Sequence, residues 1–237
     1  MGAIAQNLEK VRRRMVEAAL RAGRDPDSAK LVAVTKTVSP ESVLEAFSSG
    51  AEAFGENRVQ EALQKVPLVQ QALSAVSAGR SGPHWHLIGH LQRNKVRQVI
   101  GMFELIHSVD NLQLVEELEK RAAARDAHVT VLLEVNVAGE AAKNGCTPEE
   151  AEPLATALGN SPHLDLEGLM TMPPFADDPE ESRPWFRKLR ELRDRLVDSG
   201  HEGVRELSMG MTADFEVAIE EGATWVRVGS AIFGPRD

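Results

Sequence analysis

The sequence LVAVTK at residues 31–36 combines the pattern of a β-strand with a charged residue at its end. Apolar side chains dominate this stretch up to Lys36, which would place one ammonium group at the C-terminal end of the strand. The next residues have the chemistry of a helix start, with Ser39 as the cap, Pro40 at the first helical position and Glu41 in the first turn. A strand, a lysine at its end and a helix form half of a βαβ unit.

The same alternation of strand and helix continues along the chain. Seven further strand candidates follow, each after a helical segment, in the sequences AEAFGEN, HWHLIG, ELIHSV, VTVLLEVNV, LDLEGLMTM, VRELSMGM and TWVRVGSAIFG. Strands that alternate with helices indicate a parallel sheet, and eight repeats favour a closed (β/α)8 barrel. An open doubly wound sheet is the alternative, although no GxGxxG motif follows any of these strands.

We therefore predict an α/β protein with one domain, a TIM-type (β/α)8 barrel that occupies residues 1–237. The chain stops just after the eighth strand, so no final helix is expected, and an extra N-terminal helix should cover the gap. The apolar side chains of that helix recur every three or four residues, at Ile4, Leu8, Val11, Met15 and Ala18. Residues 67–83 are rich in Ala, Ser and Gly, and we predict a mobile surface excursion in their second half.

Composition argues against several classes of protein. The net charge is −9 and the longest basic block is residues 12–14, so an electrostatic surface for nucleic acid is missing. The single cysteine, Cys146, excludes an internal disulfide and suits a reducing cytoplasm. No apolar run approaches the roughly 20 residues of a membrane span, and the first residues are charged where a signal peptide is apolar. We expect a cytoplasmic protein that binds neither nucleic acid nor membranes.

In a barrel of this kind, functional groups collect at the C-terminal ends of the strands. The candidates at these positions are Lys36, Asn57, His86, Gly89, Ser108, Asn136, Met170, residues 208–212, Arg227, Gly229 and Ser230. The last two strand ends combine small residues, hydroxyl groups and a helix start, where barrels often bind phosphate. They indicate a phosphorylated ligand, and the alternative is that the glycines only form tight turns.

Two charged residues narrow the ligand further. Arg227 alternates with Trp225 and Gly229 on one strand face, so its guanidinium should point toward the barrel mouth and need an acceptor there. A ring nitrogen, a ligand carboxylate or a structural salt bridge could supply it. Considered alone, Lys36 would pack its aliphatic part along the barrel rim and leave its ammonium group in water. Beside a phosphate site it is a candidate Schiff-base nucleophile. Together these features point to pyridoxal phosphate.

The sequence resembles the pyridoxal-phosphate homeostasis proteins, which are related to the N-terminal barrel domain of alanine racemase. The resemblance runs almost end to end, in order, through LVAVTK, FGENRVQEA, HLIGHLQRNK, HSVDN, GLMTM, LSMGMTADFEVAI and VRVGSAIFG. It implies a mostly monomeric, single-domain barrel that holds pyridoxal 5′-phosphate as an aldimine of Lys36. Such proteins carry or buffer the cofactor in intracellular vitamin B6 homeostasis, without established catalysis, and apo pyridoxal-phosphate enzymes are candidate recipients.

The resemblance also implies roles for seven further residues. These are Ser208, Gly229 and Ser230 at the phosphate, Arg227 near the pyridine nitrogen, and Asn57, Met209 and Met211 along the pocket.

Physical reasoning from the roles that the resemblance implies favours a carrier over an enzyme. An arginine opposite the pyridine nitrogen disfavours its protonation and weakens the electron sink, and the chain has no tyrosine to act as the second base of an alanine racemase. A pyridoxal-phosphate-dependent racemase or lyase with a histidine base is the alternative, and a cofactor-free Schiff-base aldolase is a third. We expect no metal, because no carboxylate or thiol accompanies His84, His86 and His90 in the sequence.

Overall fold

The structure is a computed structural model that describes residues 2–76, 82–140 and 143–235. Its eight parallel strands form a closed barrel in which each strand pairs with the next and the last pairs with the first. The strands are β1 (Lys30–Val34), β2 (Ala53–Glu56), β3 (His84–Leu87), β4 (Leu105–Val109), β5 (Val129–Glu134), β6 (Leu164–Met170), β7 (Glu206–Ser208) and β8 (Trp225–Val228). The predicted (β/α)8 barrel is confirmed.

Helices surround the barrel on its outer side. Within the described residues they are α1 (Ala3–Arg21), α2 (Pro40–Ser48), α3 (Val59–Val76), α4 (Val96–Val99), α5 (Leu112–Ala123), α6 (Ala151–Gly159), α7 (Arg183–Asp198), α8 (Phe215–Glu220) and α9 (Ser230–Phe233). Local chemistry explains where two of them begin. Ser39 Oγ accepts from the backbone N–H of Ser42, and Asn111 Oδ1 accepts from that of Leu114, so each side chain caps its helix.

The N-terminal helix covers the junction between the last and first strands. α1 packs against α2, α8 and α9, with Leu8 only 1% exposed. Asn7 Nδ2 donates to Ile232 O at 3.0 Å, and Arg14 forms an ion pair with Glu216 at 2.8 Å. α1 therefore takes the place on the barrel surface that the sequence predicted for it.

Two segments differ from their predicted structure. Residues 230–233, predicted as part of the eighth strand, form one helical turn because the N–H groups of Phe233 and Gly234 bond to carbonyls four residues back. α3 continues ten residues beyond its predicted end at Val66, since Val69 keeps its apolar stripe buried beyond Pro67. The predicted excursion falls largely on residues 77–81, which lie outside the described residues.

Apolar side chains fill two layers. The larger core lies between the barrel and its helices, and smaller clusters occupy the barrel interior, where Val32, Val34, Ala53 and Ile88 form one and Leu105, Leu132 and Met170 another. Trp225 packs against both interior clusters. The barrel interior is therefore packed with side chains, and the functional groups lie at its C-terminal end. No helix in the described parts of the chain has the length and apolar character needed to span a bilayer.

Replacing Leu8 with alanine should reduce the free energy of unfolding by about 2–5 kcal/mol, because it leaves a cavity where α1 seals the barrel. Urea denaturation of the protein without added ligand measures the change. Leu20→Ala on the same helix is the matched control, since Leu20 is 58% exposed and its loss should matter by less than about 0.5 kcal/mol. Equal effects of the two substitutions would contradict the sealing role of α1.

Candidate functional site

Lys36 lies just beyond the end of β1, and its side chain is exposed at the C-terminal mouth of the barrel. The preceding residue still belongs to the sheet, because Thr35 N donates to Gly55 O at 2.9 Å. The following residue, Thr37, has a φ of 61°, which is a rare backbone conformation for a β-branched residue. The amine of Lys36 is therefore presented at the mouth from a sharply turned backbone.

A buried ionic cluster lies next to Lys36. Lys65 of α3 is 5% exposed, and its Nζ donates to Glu56 Oε1 at 2.8 Å, to Glu61 Oε1 at 2.7 Å and to Thr35 O at 2.5 Å. Burial raises the pKa of the Glu56 carboxyl, while hydrogen bonds from Lys65 and Thr35 oppose that rise. The sequence analysis missed this cluster, although a glutamate four residues before a lysine on a helix was a readable signal.

Arg227 is fixed inside the barrel near the same end. It is 3% exposed, and its guanidinium donates from Nη1 to Ser208 Oγ at 2.5 Å and from Nη2 to Thr171 O at 2.9 Å. Burial lowers the pKa of Arg227 to about 10, with Glu134 and Asp214 opposing the change. The group stays charged at neutral pH and can only donate hydrogen bonds.

A chain of hydrogen bonds leads from Arg227 into the barrel. Ser208 Oγ lies 2.8 Å from His107 Nδ1, and His107 Nε2 lies 3.0 Å from His86 Nδ1. Because Arg227 donates to Ser208, the serine hydroxyl has its own proton available for His107 Nδ1. In that arrangement His107 carries its proton on Nε2 and donates it to His86 Nδ1. Burial lowers the pKa of His86 to about 3 and that of His107 well below its usual value, so both rings are neutral.

Glu134 is a second buried ionisable group that the sequence analysis did not single out. It ends β5 and is 3% exposed. Burial raises its pKa to about 7; Asp110 adds to the rise, and Arg227 opposes it. An acidic residue at the end of an apolar strand, as in VTVLLE, was the same kind of signal as the lysine after LVAVT.

The loops after β7 and β8 meet close to Arg227, whose backbone N–H donates to Gly210 O at 3.0 Å. Gly229 N donates to Thr212 Oγ1 at 3.3 Å, and Met211 N donates to Asp214 Oδ1 at 2.7 Å. Ser230 is exposed at the start of α9. Gly210 has a φ of 89°, and a Cβ there would lie 2.9 Å from Phe215 Cα, so only glycine fits this turn.

The structure brings some of the predicted site residues to the mouth and buries others. Met211 is 38% exposed, whereas Met209 is fully buried in the core between the barrel and its helices. The Ser208 hydroxyl is committed to Arg227 and His107 inside the barrel. The predicted ligand contacts of Ser208 and Met209 stay predictions, and they would have to come from the backbone.

Asn57 lies at the end of β2, close to the loop after β3. A Cβ on Gly89 would lie 2.2 Å from Asn57 O, so the two backbones approach too closely for any other residue. Asn57 Oδ1 is buried without a hydrogen-bond partner among the described residues. An unpaired acceptor of this kind fits a ligand that brings a donor.

The histidines that the sequence analysis considered for zinc have separate surroundings. His84 bonds to Glu104, His86 bonds to His107 in the barrel interior, and His90 lies 3.6 Å from Asp110. Across the described residues, no group of three or more His, Cys, Asp or Glu side chains is placed to hold a metal ion.

Comparison with known proteins identifies the family. The model of the alanine racemase N-terminal domain matches residues 1–237. A pyridoxal phosphate homeostasis protein of Aquifex aeolicus is 46% identical over 231 residues, which cover 98% of this chain and 97% of the relative. The chain belongs to the pyridoxal phosphate homeostasis protein family. The Pseudomonas aeruginosa member is 44% identical over 237 residues, covering 100% of this chain and 97% of its own length.

Solved structures agree with this membership. PipY of Synechococcus elongatus, solved with PLP bound, is 33% identical with a TM-score of 0.80, covering 98% of this chain and 100% of PipY. Alanine racemase from Corynebacterium glutamicum is 22% identical with a TM-score of 0.70, covering 99% of this chain and 61% of the racemase. The second likeness concerns the fold alone. This chain therefore matches the barrel part of the racemase and not its whole length.

Glu134→Gln should make the stability of this family member less dependent on pH. The carboxyl has an ordinary pKa of 4.5 and a folded pKa of about 7. The protonated carboxyl therefore contributes fully to the folding stability below the ordinary pKa, and this contribution is lost as the pH rises through the folded pKa. Urea unfolding should find the variant more stable by roughly 2–3 kcal/mol at about pH 8.5, and nearly unchanged at about pH 5.

Glu116→Gln is the control for this comparison, because Glu116 is exposed on α5. It should leave the stability unchanged at both pH values. The same difference between Glu134→Gln and the parent protein at both pH values would show that Glu134 does not titrate in this range.

Proposed function

We propose that this protein binds pyridoxal 5′-phosphate at the barrel mouth, attaches it covalently through Lys36 and serves as a carrier or buffer of the cofactor. The observation that carries the proposal is the adjacency of β1 and β8, in which Val32 pairs with Arg227. This pairing puts an exposed lysine amine and a buried guanidinium on neighbouring strands at the same end of the barrel. The family names and the PLP-bound PipY structure support the same ligand.

The residues at the mouth fit such a cofactor. When bound, it supplies an aldehyde that a primary amine can attack with loss of water, a pyridine nitrogen and a phosphate. Lys36 provides the amine, and Arg227 provides a donor for the nitrogen. Gly229, Ser230 and the Thr212 turn would hold the phosphate, with backbone N–H and hydroxyl donors.

Arg227 is the main reason to prefer a carrier over an enzyme. Its contacts to Ser208 and Thr171 hold the guanidinium in one place, and a cation beside the pyridine nitrogen keeps that nitrogen from taking a proton. The strong electron sink of transaminases requires that proton. Arg227 therefore favours holding the cofactor and disfavours carbanion chemistry on a bound amino acid.

The surroundings of the two interior histidines also favour a carrier. The sequence has no tyrosine, and His86 and His107 are both engaged in the interior chain with lowered pKa values. A buried ring that resists protonation is a poor acid for returning a proton to a substrate. Neither histidine provides the second base that a racemase would need.

The proposal extends to the setting in which the protein acts. We infer that residues 1–237 work as one domain and as a monomer in the cytoplasm, and that apo pyridoxal-phosphate enzymes receive the released cofactor. The continuous barrel core supports one domain. The lone cysteine, Cys146, is free in the structure, which suits a reducing compartment.

Attachment at Lys36 can be tested directly. The purified protein should be yellow or become yellow on addition of pyridoxal phosphate, and borohydride reduction followed by peptide mass spectrometry should find the label on Lys36. Lys36→Ala should take up no borohydride-stable label but retain weak, reversible binding. Lys10→Ala, at an exposed site on α1, should behave as the parent does, and a label on another lysine would refute the assignment.

The carrier role predicts the absence of turnover at a substrate carbon. Loaded protein in deuterium oxide should exchange the α-proton of alanine or other amino acids no faster over hours than Lys36→Ala with the same amount of cofactor. Proton NMR measures this exchange. Exchange at an ordinary enzymatic rate, on the order of 1 per second or faster, would instead establish a racemase or lyase.

A further inference from the structure

We propose that Glu61 and Lys65 of α3 form a clamp on the backbone around Lys36 and set the direction in which its side chain leaves the barrel. The inference rests on the proposed function, in which Lys36 bears the cofactor. The side chains of Glu61 and Lys65 bond to the backbone around Lys36, to each other and to Glu56. The proposal gives neither of them a contact with the cofactor. Their role is to position Lys36, and it is distinct from binding.

The clamp holds the chain on both sides of Lys36. On the N-terminal side, Lys65 Nζ donates to Thr35 O at 2.5 Å. On the C-terminal side, Thr37 N donates to Glu61 Oε1 at 2.6 Å. Glu61 Oε1 also accepts from Lys65 Nζ at 2.7 Å, so one ion pair connects the two attachment points. The backbone of Lys36 lies between them.

The conformation of Thr37 shows what the clamp does. Its φ of 61° is in the left-handed region, which a β-branched side chain disfavours and which persists only where surrounding contacts impose it. The charged hydrogen bond from Thr37 N to Glu61 is such a contact. Without it, the peptide after Lys36 would be free to relax toward a negative φ and turn the lysine away from its present direction.

Burial makes the Lys65 end of this clamp rigid. Lys65 is 5% exposed, and its ammonium meets a second carboxylate, Glu56, whose Oε1 also accepts from Thr35 Oγ1 at 2.6 Å. Removing one partner from such a cluster would leave a buried charge uncompensated. Because Glu61 and Lys65 are four residues apart on one helix, their separation is fixed by α3.

A fixed backbone leaves Lys36 only its side-chain torsions to search when it meets an aldehyde. Holding a reacting group in a productive direction lowers the entropy lost on reaction. The clamp should therefore affect the covalent step more than reversible binding. In the proposed site, residues on and after β7 and β8 bind the ring and phosphate of the cofactor. This difference separates a positioning role from a general effect on folding.

The test uses three forms of the full chain: the parent, Glu61→Ala and Glu61→Gln. Alanine removes the acceptor, whereas the glutamine side-chain oxygen can still accept from Thr37 N. One rate and one affinity are measured for each form. The rate is that of borohydride-stable attachment of pyridoxal phosphate to Lys36, and the affinity is that for pyridoxine 5′-phosphate, which has no aldehyde and can bind only reversibly. Glu116→Ala on α5 is the control for the loss of an exposed glutamate.

We expect Glu61→Ala to slow attachment about tenfold or more, the scale set by releasing one strained backbone conformation. Its affinity for pyridoxine 5′-phosphate should stay within about twofold of the parent, and Glu61→Gln should recover most of the attachment rate. An unchanged attachment rate in Glu61→Ala would overturn the proposal. So would an equal loss of rate and affinity, because that result describes a folding defect.

A second measurement does not depend on any cofactor. The three-bond HN–Hα coupling and carbon shifts of Thr37 report its φ by NMR, and Glu61→Ala should move them away from left-handed values while Glu116→Ala does not. Unchanged values would overturn the clamp. If the parent protein attaches no pyridoxal phosphate at Lys36, the proposed function fails, yet this NMR comparison still decides whether Glu61 holds Thr37.

Discussion

The pairing of β8 with β1 is the interaction on which this structure depends. It closes the sheet, so that no strand edge remains open, and it sets Lys30 to Ala33 beside residues 225–228. Closure brings together the two ends of the sequence that carry the charged groups of the site. It also requires a cover on the outside of the junction, which α1 supplies through Leu8 and the ion pair of Arg14 with Glu216. The N-terminal helix is therefore part of what keeps the mouth intact.

The barrel interior handles its buried charges by hydrogen bonding. Arg227 donates to two acceptors, the Ser208 hydroxyl and the Thr171 carbonyl, and the hydrogen-bonded chain continues from Ser208 through His107 to His86. A guanidinium can only donate, so it occupies one lone pair of the serine oxygen and leaves the hydroxyl proton available to His107. The same property makes Arg227 a donor toward the mouth. The interior network and the proposed preference for holding a cofactor thus have one physical origin.

Lys65 shows how a tertiary contact can prepare a residue that is distant in the sequence. Its ammonium joins α3 to the backbone of the loop after β1, and Glu61 completes the contact on the other side of Lys36. A cluster of one lysine and two glutamates has enough hydrogen bonds to tolerate burial, although Glu56 Oε2 remains without a partner among the described residues. Such incomplete pairing is expected where a buried network contributes more to positioning a residue, here Lys36, than to the stability of the fold.

The sequence by itself determined the barrel and the strand ends at which Lys36 and Arg227 lie, because strand alternation and helix periodicity are local properties. Alternation also implies that Ser208 and Met209 point to opposite faces, so both side chains cannot line one pocket. Only the tertiary structure decided that Lys65 is buried beside Glu56 and that Glu134 shares its surroundings with Arg227. These outcomes depend on which elements meet across the closed barrel, and a pattern within one segment does not contain that information.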